Sequence, residues 1–136
     1  MAKTFTAPFA QTPKTATAVA TAAATLTDTP SNTVLLATAG ADGAILTRLS
    51  AIPRATVTAS SLVLFISKDN GSTQRLIDSE LMAAHTVAVT TAIPETVFAG
   101  YSESSPLRLE AGDRLYVGSQ VALAGGIVFR AEYTDF

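Results

Sequence analysis

The sequence contains no cysteine and no tryptophan, and a single histidine is present among its 136 residues. Without cysteine the protein has no disulfide bond, no thiolate nucleophile and no thiolate metal ligand. A catalytic triad or a histidine-based zinc site would need His85 together with organised partners. The sequence near His85 does not supply such a set, so we interpret it as a structural or exposed residue. We predict neither a metal nor a cofactor.

Charged residues are also few, at 15% of the chain, and the net charge is −2. Nucleic-acid binding needs a basic patch and binding to an anionic membrane needs clustered lysine and arginine, so we expect neither partner. No apolar run approaches the roughly 20 residues of a membrane helix, and the N-terminus lacks a signal-peptide core. We expect a protein made in the cytosol. The surface either relies on threonine and serine for polarity or is partly covered by other chains.

The chain is organised around residues 61–77. Residues 62–66 form an unbroken apolar run, which suits a strand covered on both faces, although periodicity alone leaves a buried helix open. Asn70 and Gly71 follow, and both tolerate the positive φ of a tight type I′ turn. The sequence therefore predicts a hairpin with Leu76 and Ile77 on the return strand.

The segment from Ser72 to Ala84 has two interpretations. Leu76, Ile77 and Glu80 belong to a set with helical spacing, and Ser72 could cap a helix. The alternative is a return strand, a turn at residues 78–79 and another strand. We favour the strands, because a hairpin at Asn70 requires a return partner.

The N-terminal residues 1–14 contain Phe5, Pro8, Phe9 and Pro13. Proline disfavours a helix and also a central strand, so we predict an extended arm that precedes a single β-sandwich domain at 15–136. Two phenylalanines would be unusual in a free tail. We expect them to dock on this domain or on a neighbouring subunit.

Residues 15–27 alternate alanine with threonine. This period of two favours a strand, although alanine leaves a helix open over part of the stretch. Further strands are predicted at 33–39, 44–52, 87–93 and 127–133, with a short one at 54–58. Asp42-Gly43 predicts a second hairpin, and Ala111-Gly112-Asp113 a turn between two alternating segments. About eight short strands predict an all-β, two-sheet antiparallel sandwich.

The carboxylates do not form a recognisable catalytic pair. Most lie at predicted turns or strand ends, where Asp and Glu are common for local reasons. Asp69-Asn70-Gly71 lacks the closing glutamate of a calcium loop. The stretches Gly40-Ala-Asp-Gly43 and Gly125-Gly126 do not continue as phosphate loops. We predict that the protein is not an enzyme.

Four segments of the chain resemble small virion proteins of tailed bacteriophages. They are residues 32–43, 62–71, 106–117 and 126–133. The third contains Leu-Arg-Leu-Glu-Ala-Gly-Asp-Arg-Leu-Tyr-Val, a run that in such proteins forms a turn between two strands of a β-sandwich. Gly-Asp turns also occur in cupins, but cupins carry metal-binding histidines that this chain lacks.

The resemblance implies a jelly-roll-like sandwich that assembles on a capsid or tail, often as a homotrimer. We favour a capsid decoration or cement protein, located on the capsid surface of the virion, that binds the major capsid protein. Phe5, Pro8, Phe9 and Pro13 are the candidate capsid-contact residues. One alternative is a tail, baseplate or fibre component that binds a host receptor through a patch such as that around Tyr101. Another is a small β-sandwich enzyme or sugar-binding module with converging carboxylates.

Overall fold

A computed structural model describes residues 12–136, which build two antiparallel β-sheets packed face to face. The predicted all-β, two-sheet architecture is confirmed. The strands of this part of the chain are β1 (Thr12–Ala20), β2 (Val34–Thr38), β3 (Ala44–Pro53), β4 (Ser60–Ser67), β5 (Arg75–Met82), β6 (Thr96–Val97), β7 (Leu107–Leu109), β8 (Arg114–Ser119) and β9 (Ile127–Asp135).

The strands pair in a nested order. Sheet A has the order β1-β9-β3, and both β6 and β7 pair with the other side of β3. Sheet B has the order β2-β8-β4-β5. The first strand therefore pairs with the last, the second with the next to last, and β4 with β5 across its turn. The jelly-roll-like form of the sandwich, which the resemblance implies, stays a prediction.

The core lies between the two sheets. Side chains alternate along a strand, so Leu62 and Leu64 of β4 face sheet A, where they meet Leu46 and Phe129. All four are fully buried, as is Phe98 from the loop after β6. Fully burying one such side chain stabilises the fold by about 1.5–3 kcal/mol.

The other face of β4 is covered by a connection and not by a third layer. Val63 and Phe65 point away from the core, yet both are buried, in a cluster with Ala24. The connection 21–33 crosses the outer face of sheet B, where Ala24 N donates to Ser119 O at 2.8 Å and Gln74 N donates to Asp28 O at 2.8 Å. The prediction that β4 is covered on both faces is confirmed.

The hairpin after β4 is also confirmed. Asn70 and Gly71 both have positive φ, 60° and 94°, and β4 pairs with β5. The helical alternative for 72–84 is excluded. The predicted turn at residues 78–79 is wrong, because β5 continues through Asp78 with a register shift opposite Leu64 and Phe65.

Three other expectations need correction. Asp42-Gly43 makes a turn, but β2 and β3 belong to different sheets, so it joins the two layers and is not a hairpin. Residues 87–93 form no strand; this part of the chain is a loop between β5 and β6. The first strand spans Thr12–Ala20, so it begins inside the predicted arm and ends before residue 27. Its partner β9 begins at Ile127, opposite Ala20, and beyond this point Thr21 O accepts a single hydrogen bond from Leu123 N at 2.8 Å instead of continuing the ladder.

Candidate interaction surfaces

The candidate capsid-contact arm lies mostly outside the described residues. Phe5, Pro8 and Phe9 belong to residues 1–11. Pro13 is an exposed residue of β1, opposite Thr134 of β9. Lys14 beside it forms an ion pair with Asp135, at 2.6 Å between Nζ and Oδ2. The hydrogen bond from Lys14 to Asp135 raises the pKa of the lysine. The chain therefore enters the fold at the exposed edge of sheet A.

The outer face of sheet B carries four exposed leucines. Leu35 is 45% exposed, Leu76 is 43% exposed and Leu81 is 70% exposed. Leu26, 46% exposed, lies in the connection that crosses this face, between Ala24 and Asp28. We call Leu26, Leu35, Leu76 and Leu81 the outer leucines.

Two of the outer leucines end a row that crosses all four strands. Leu35 of β2 is opposite Tyr116 of β8, Tyr116 is opposite Phe65 of β4, and Phe65 is opposite Leu76 of β5. Paired residues of antiparallel strands share a face. The connection 21–33 covers the middle of the row and leaves both ends exposed. The row results from the pairing register of the four strands, and the sequence alone does not show that register.

The outer face of sheet A has a different character. Arg48 and Arg130 alternate with Glu95 and Glu132 in four ion pairs, of which Arg48–Glu95 is the closest. All four side chains are partly exposed, so each pair contributes little to stability. The charges balance locally. This face therefore offers a polar, neutral surface, with an apolar row of Val19, Val128 and Ile52 at one end.

A cleft of about 350 Å³ lies next to this network. It is lined by Thr47, Arg48, Tyr101, Ser102, Glu103 and Glu132. Tyr101 packs against the core and is only partly exposed. Burial, with a smaller effect of the Asp78 carboxylate, raises the pKa of Tyr101 well above its ordinary value. The phenol therefore stays protonated near neutral pH, and most of the ring is not available as an aromatic platform.

The loop between β5 and β6 forms a second exposed surface. It contributes to a depression of about 250 Å³ that also includes Leu81, Pro94 and Val97. Val89 is 105% exposed. No Asp, Glu, Lys or Arg occurs between residues 81 and 94. His85 holds this loop, because its backbone pairs with Val57 through two hydrogen bonds of 2.9 and 3.0 Å.

Residues 12–136 contain no group of three or more His, Asp or Glu side chains arranged to hold a metal ion. No helix there is long and apolar enough to cross a membrane.

Comparison of the chain with protein-family models, with curated proteins and with solved structures found no match. The surfaces described above are therefore interpreted from their own geometry and chemistry. The sequence did not point to the outer leucines, because they lie far apart in the chain. Leu76 was predicted to lie on a strand, but its face was not predicted.

Proposed function

We propose that this protein binds the outside of a bacteriophage capsid and stabilises it by bridging major capsid subunits, as a decoration or cement protein. The observation that carries the proposal is the set of outer leucines. The leucines are separate exposed side chains around the connection 21–33, and a partner that covered this whole face would bury all four. Four leucines on one face of a sheet give the protein a surface that burial against another protein would stabilise.

The chemistry of this face suits a clamp. A decoration protein resists the pressure of packaged DNA by burial and shape, and this task needs a rigid face more than a reactive group. Sheet B is stiffened by the buried Phe65 under the connection 21–33. Stable interfaces bury roughly 1,600 Å² in total, so we propose that residues around the outer leucines, together with Phe5, Pro8, Phe9 and Pro13 of the N-terminal segment, complete the contact.

The resemblance to small virion proteins supports the same assignment. It covers β2 and β7 and most of β4, β8 and β9, and so includes three of the four strands of sheet B. The virion location, the major capsid protein as partner and a homo-oligomeric state, with a trimer favoured, are part of the proposal. Several copies acting together would add avidity to weak single contacts.

The first test is the copy number of the protein in purified virions, measured against the major capsid protein by quantitative mass spectrometry. Hundreds of copies per particle are expected for a decoration protein. A handful per particle would move the protein to the tail or neck. Complete absence from the particle would remove the virion role.

The second test concerns the N-terminal segment. Deletion of residues 1–11 leaves every described strand intact, whereas deletion of 1–14 also removes Lys14 and its ion pair with Asp135. We expect the shorter deletion to weaken binding to capsids that lack the protein. Unchanged binding would exclude the segment as a capsid contact and leave the outer leucines as the docking surface.

A second candidate function is that of a tail, baseplate or fibre component that binds a host receptor. The cleft beside Tyr101 favours it, because Arg48, Ser102 and Glu103 line the same depression. Such a protein would bind host cells in its isolated form. Loss of cell binding in a Glu103→Ala variant would support this candidate.

A further inference from the structure

We propose that copies of this protein join edge to edge through sheet A, with residues 86–93 of one copy pairing as a strand with the free edge of β1 in the next. The proposal concerns the isolated protein and is independent of its binding to a capsid.

Residues 86–93 have the sequence Thr-Val-Ala-Val-Thr-Thr-Ala-Ile. Valine, isoleucine and threonine favour strands, yet this stretch pairs with no strand among residues 12–136. Its backbone makes two hydrogen bonds within that range: Val87 N donates to Thr56 Oγ1 at 3.1 Å, and Thr91 N donates to Ala88 O at 3.2 Å. A strand-forming sequence is therefore held at the surface with most of its backbone open to a partner.

β1 offers the edge to which this segment would pair. Within residues 12–136 it pairs with β9 alone, so its other side is an open edge of sheet A. Natural edge strands are usually protected by charge, proline or a bulge. Pro13 and Lys14 protect only the start of β1, and no charged residue occurs from Thr15 to Thr27. The second half of β1 is therefore an unprotected edge.

Residues 86–93 and β1 belong to opposite sides of sheet A. β1 forms one edge of sheet A, and β6, which residues 86–93 lead into, pairs at the opposite edge. Each copy thus carries a donor at one edge and an acceptor at the other. Such head-to-tail contacts close into a ring when the rotation between copies allows it.

The side chains of β1 and of residues 86–93 are compatible with this pairing. The exposed side chains of this part of β1 are Thr15, Thr17 and Val19, and residues 86–93 are likewise uncharged. No like-charge contact opposes the pairing. Val19 is 37% exposed at the edge of the apolar row that continues through Val128 and Ile52. Placing Val89 of one copy opposite Val19 of the next would extend this row and bury two exposed valines. We therefore assign the register in which these two residues are paired.

The oligomeric state of the full chain is the first measurement, by light scattering and native mass spectrometry over a concentration series. We expect an oligomer with one main stoichiometry. The Val89→Lys variant should raise the concentration for half dissociation by at least about tenfold, because a lysine in the new sheet edge blocks pairing. The matched control is Ile77→Lys, which changes an exposed isoleucine of β5 in sheet B and should leave the oligomer unchanged.

Cysteine cross-linking tests which segments meet, and the chain contains no natural cysteine to interfere. Neighbouring residues of paired strands lie close enough for a disulfide. A mixture of the Val19→Cys and Val89→Cys proteins should form a cross-linked heterodimer under mild oxidation, and neither protein should cross-link to itself.

Three results would overturn the proposal. The first is a wild-type protein that stays monomeric at its highest soluble concentration. The second is cross-linking of the Val19→Cys protein to itself, which would show that two β1 edges pair. The third is an oligomer that the Val89→Lys variant leaves intact. A monomeric protein would also remove the homo-oligomeric state from the proposed function, whereas capsid binding through the outer leucines is decided by the copy-number and binding assays, so the two proposals fail separately.

Discussion

Lys68 and Asp113 join the turn after β4 to the turn before β8, with 2.9 Å between Nζ and Oδ2. The Asp113 side chain is 4% exposed, and the same oxygen accepts a hydrogen bond from Glu110 N at 2.8 Å. Asp113 therefore closes its own turn and holds a neighbouring one.

The Asp113→Ala variant tests this double role. Removing the carboxylate leaves Glu110 N without its acceptor and leaves Lys68 with only the Glu110 carboxylate at 3.6 Å, so we expect a loss of about 1–3 kcal/mol in the free energy of unfolding. Urea denaturation measures the loss. Glu103→Ala is the control, since its exposed side chain should change stability by less than about 0.5 kcal/mol. Equal stability of the two variants would show that Asp113 is not a support of the fold.

Alkaline pH gives a second prediction. The hydrogen bond with Asp113 raises the pKa of Lys68 above its ordinary value of 10.5. The stability that this pair contributes is fully present below that value and is lost as the pH rises through the folded-state pKa. Tyr101, whose pKa burial also raises, acts in the same direction. We therefore compare Tyr101→Phe with Tyr101→Phe/Asp113→Ala by urea denaturation across this pH range. The double variant should lose less stability, and parallel curves would contradict the role of Lys68.

Two glycines with similar backbones give a matched pair of variants. Gly71 and Gly112 have φ of 94° and 76°. A Cβ at Gly71 would overlap the Tyr116 hydroxyl, whereas a Cβ at Gly112 has no atom within 4 Å. We expect Gly112→Ala to cost about 1 kcal/mol for the left-handed backbone. Gly71→Ala should cost more, because Tyr116 must also move. Thermal unfolding would measure both, and a smaller loss for Gly71→Ala would argue against the packing of Tyr116 under this turn.

Substitution of an outer leucine should weaken capsid binding and leave the stability of the fold almost unchanged. Leu35→Lys and Leu76→Lys place a charge on an exposed position, so the free energy of unfolding should change by less than about 1 kcal/mol. Each should weaken binding to capsids that lack the protein by at least about tenfold, because a buried lysine opposes the contact. Co-sedimentation with such capsids measures the affinity. Arg108→Glu, at an exposed position of β7 in sheet A, is the control. Equal affinity of all three variants would move the docking surface elsewhere.

Local chemistry in the sequence predicted the elements that depend on neighbouring residues. The Asn70-Gly71 turn and the apolar run of β4 specify their conformation within a few residues, and both predictions are confirmed. The alternation from Thr15 predicted β1, with Ala16, Ala18 and Ala20 turned towards the core. Its end at Ala20 was not predicted, because it depends on where β9 begins.

Features that depend on distant residues were not predicted correctly. Asp42-Gly43 specifies a reversal of the chain, but only the pairing of β2 with β8 decides that the turn joins two sheets. Val87 and Ile93 favour a strand, yet a strand needs an edge to pair with. The outer leucines lie on one face through registers that involve four strands. The role of Phe5 and Phe9 stays a prediction, as they lie outside the described residues.

The position of β9 has a consequence for synthesis of the protein. β9 is the last strand of the chain, but it lies between β1 and β3 in sheet A and bonds to both. Among residues 12–136, β1 therefore has no strand to pair with until residues 127–135 have been made. Sheet B can pair β4 with β5 much earlier. The β1–β9–β3 part of sheet A can form only once β9 has been made, in a step that pairs residues 12–20 with residues 127–135. Until then the second half of β1, which carries no charge, is open to other chains.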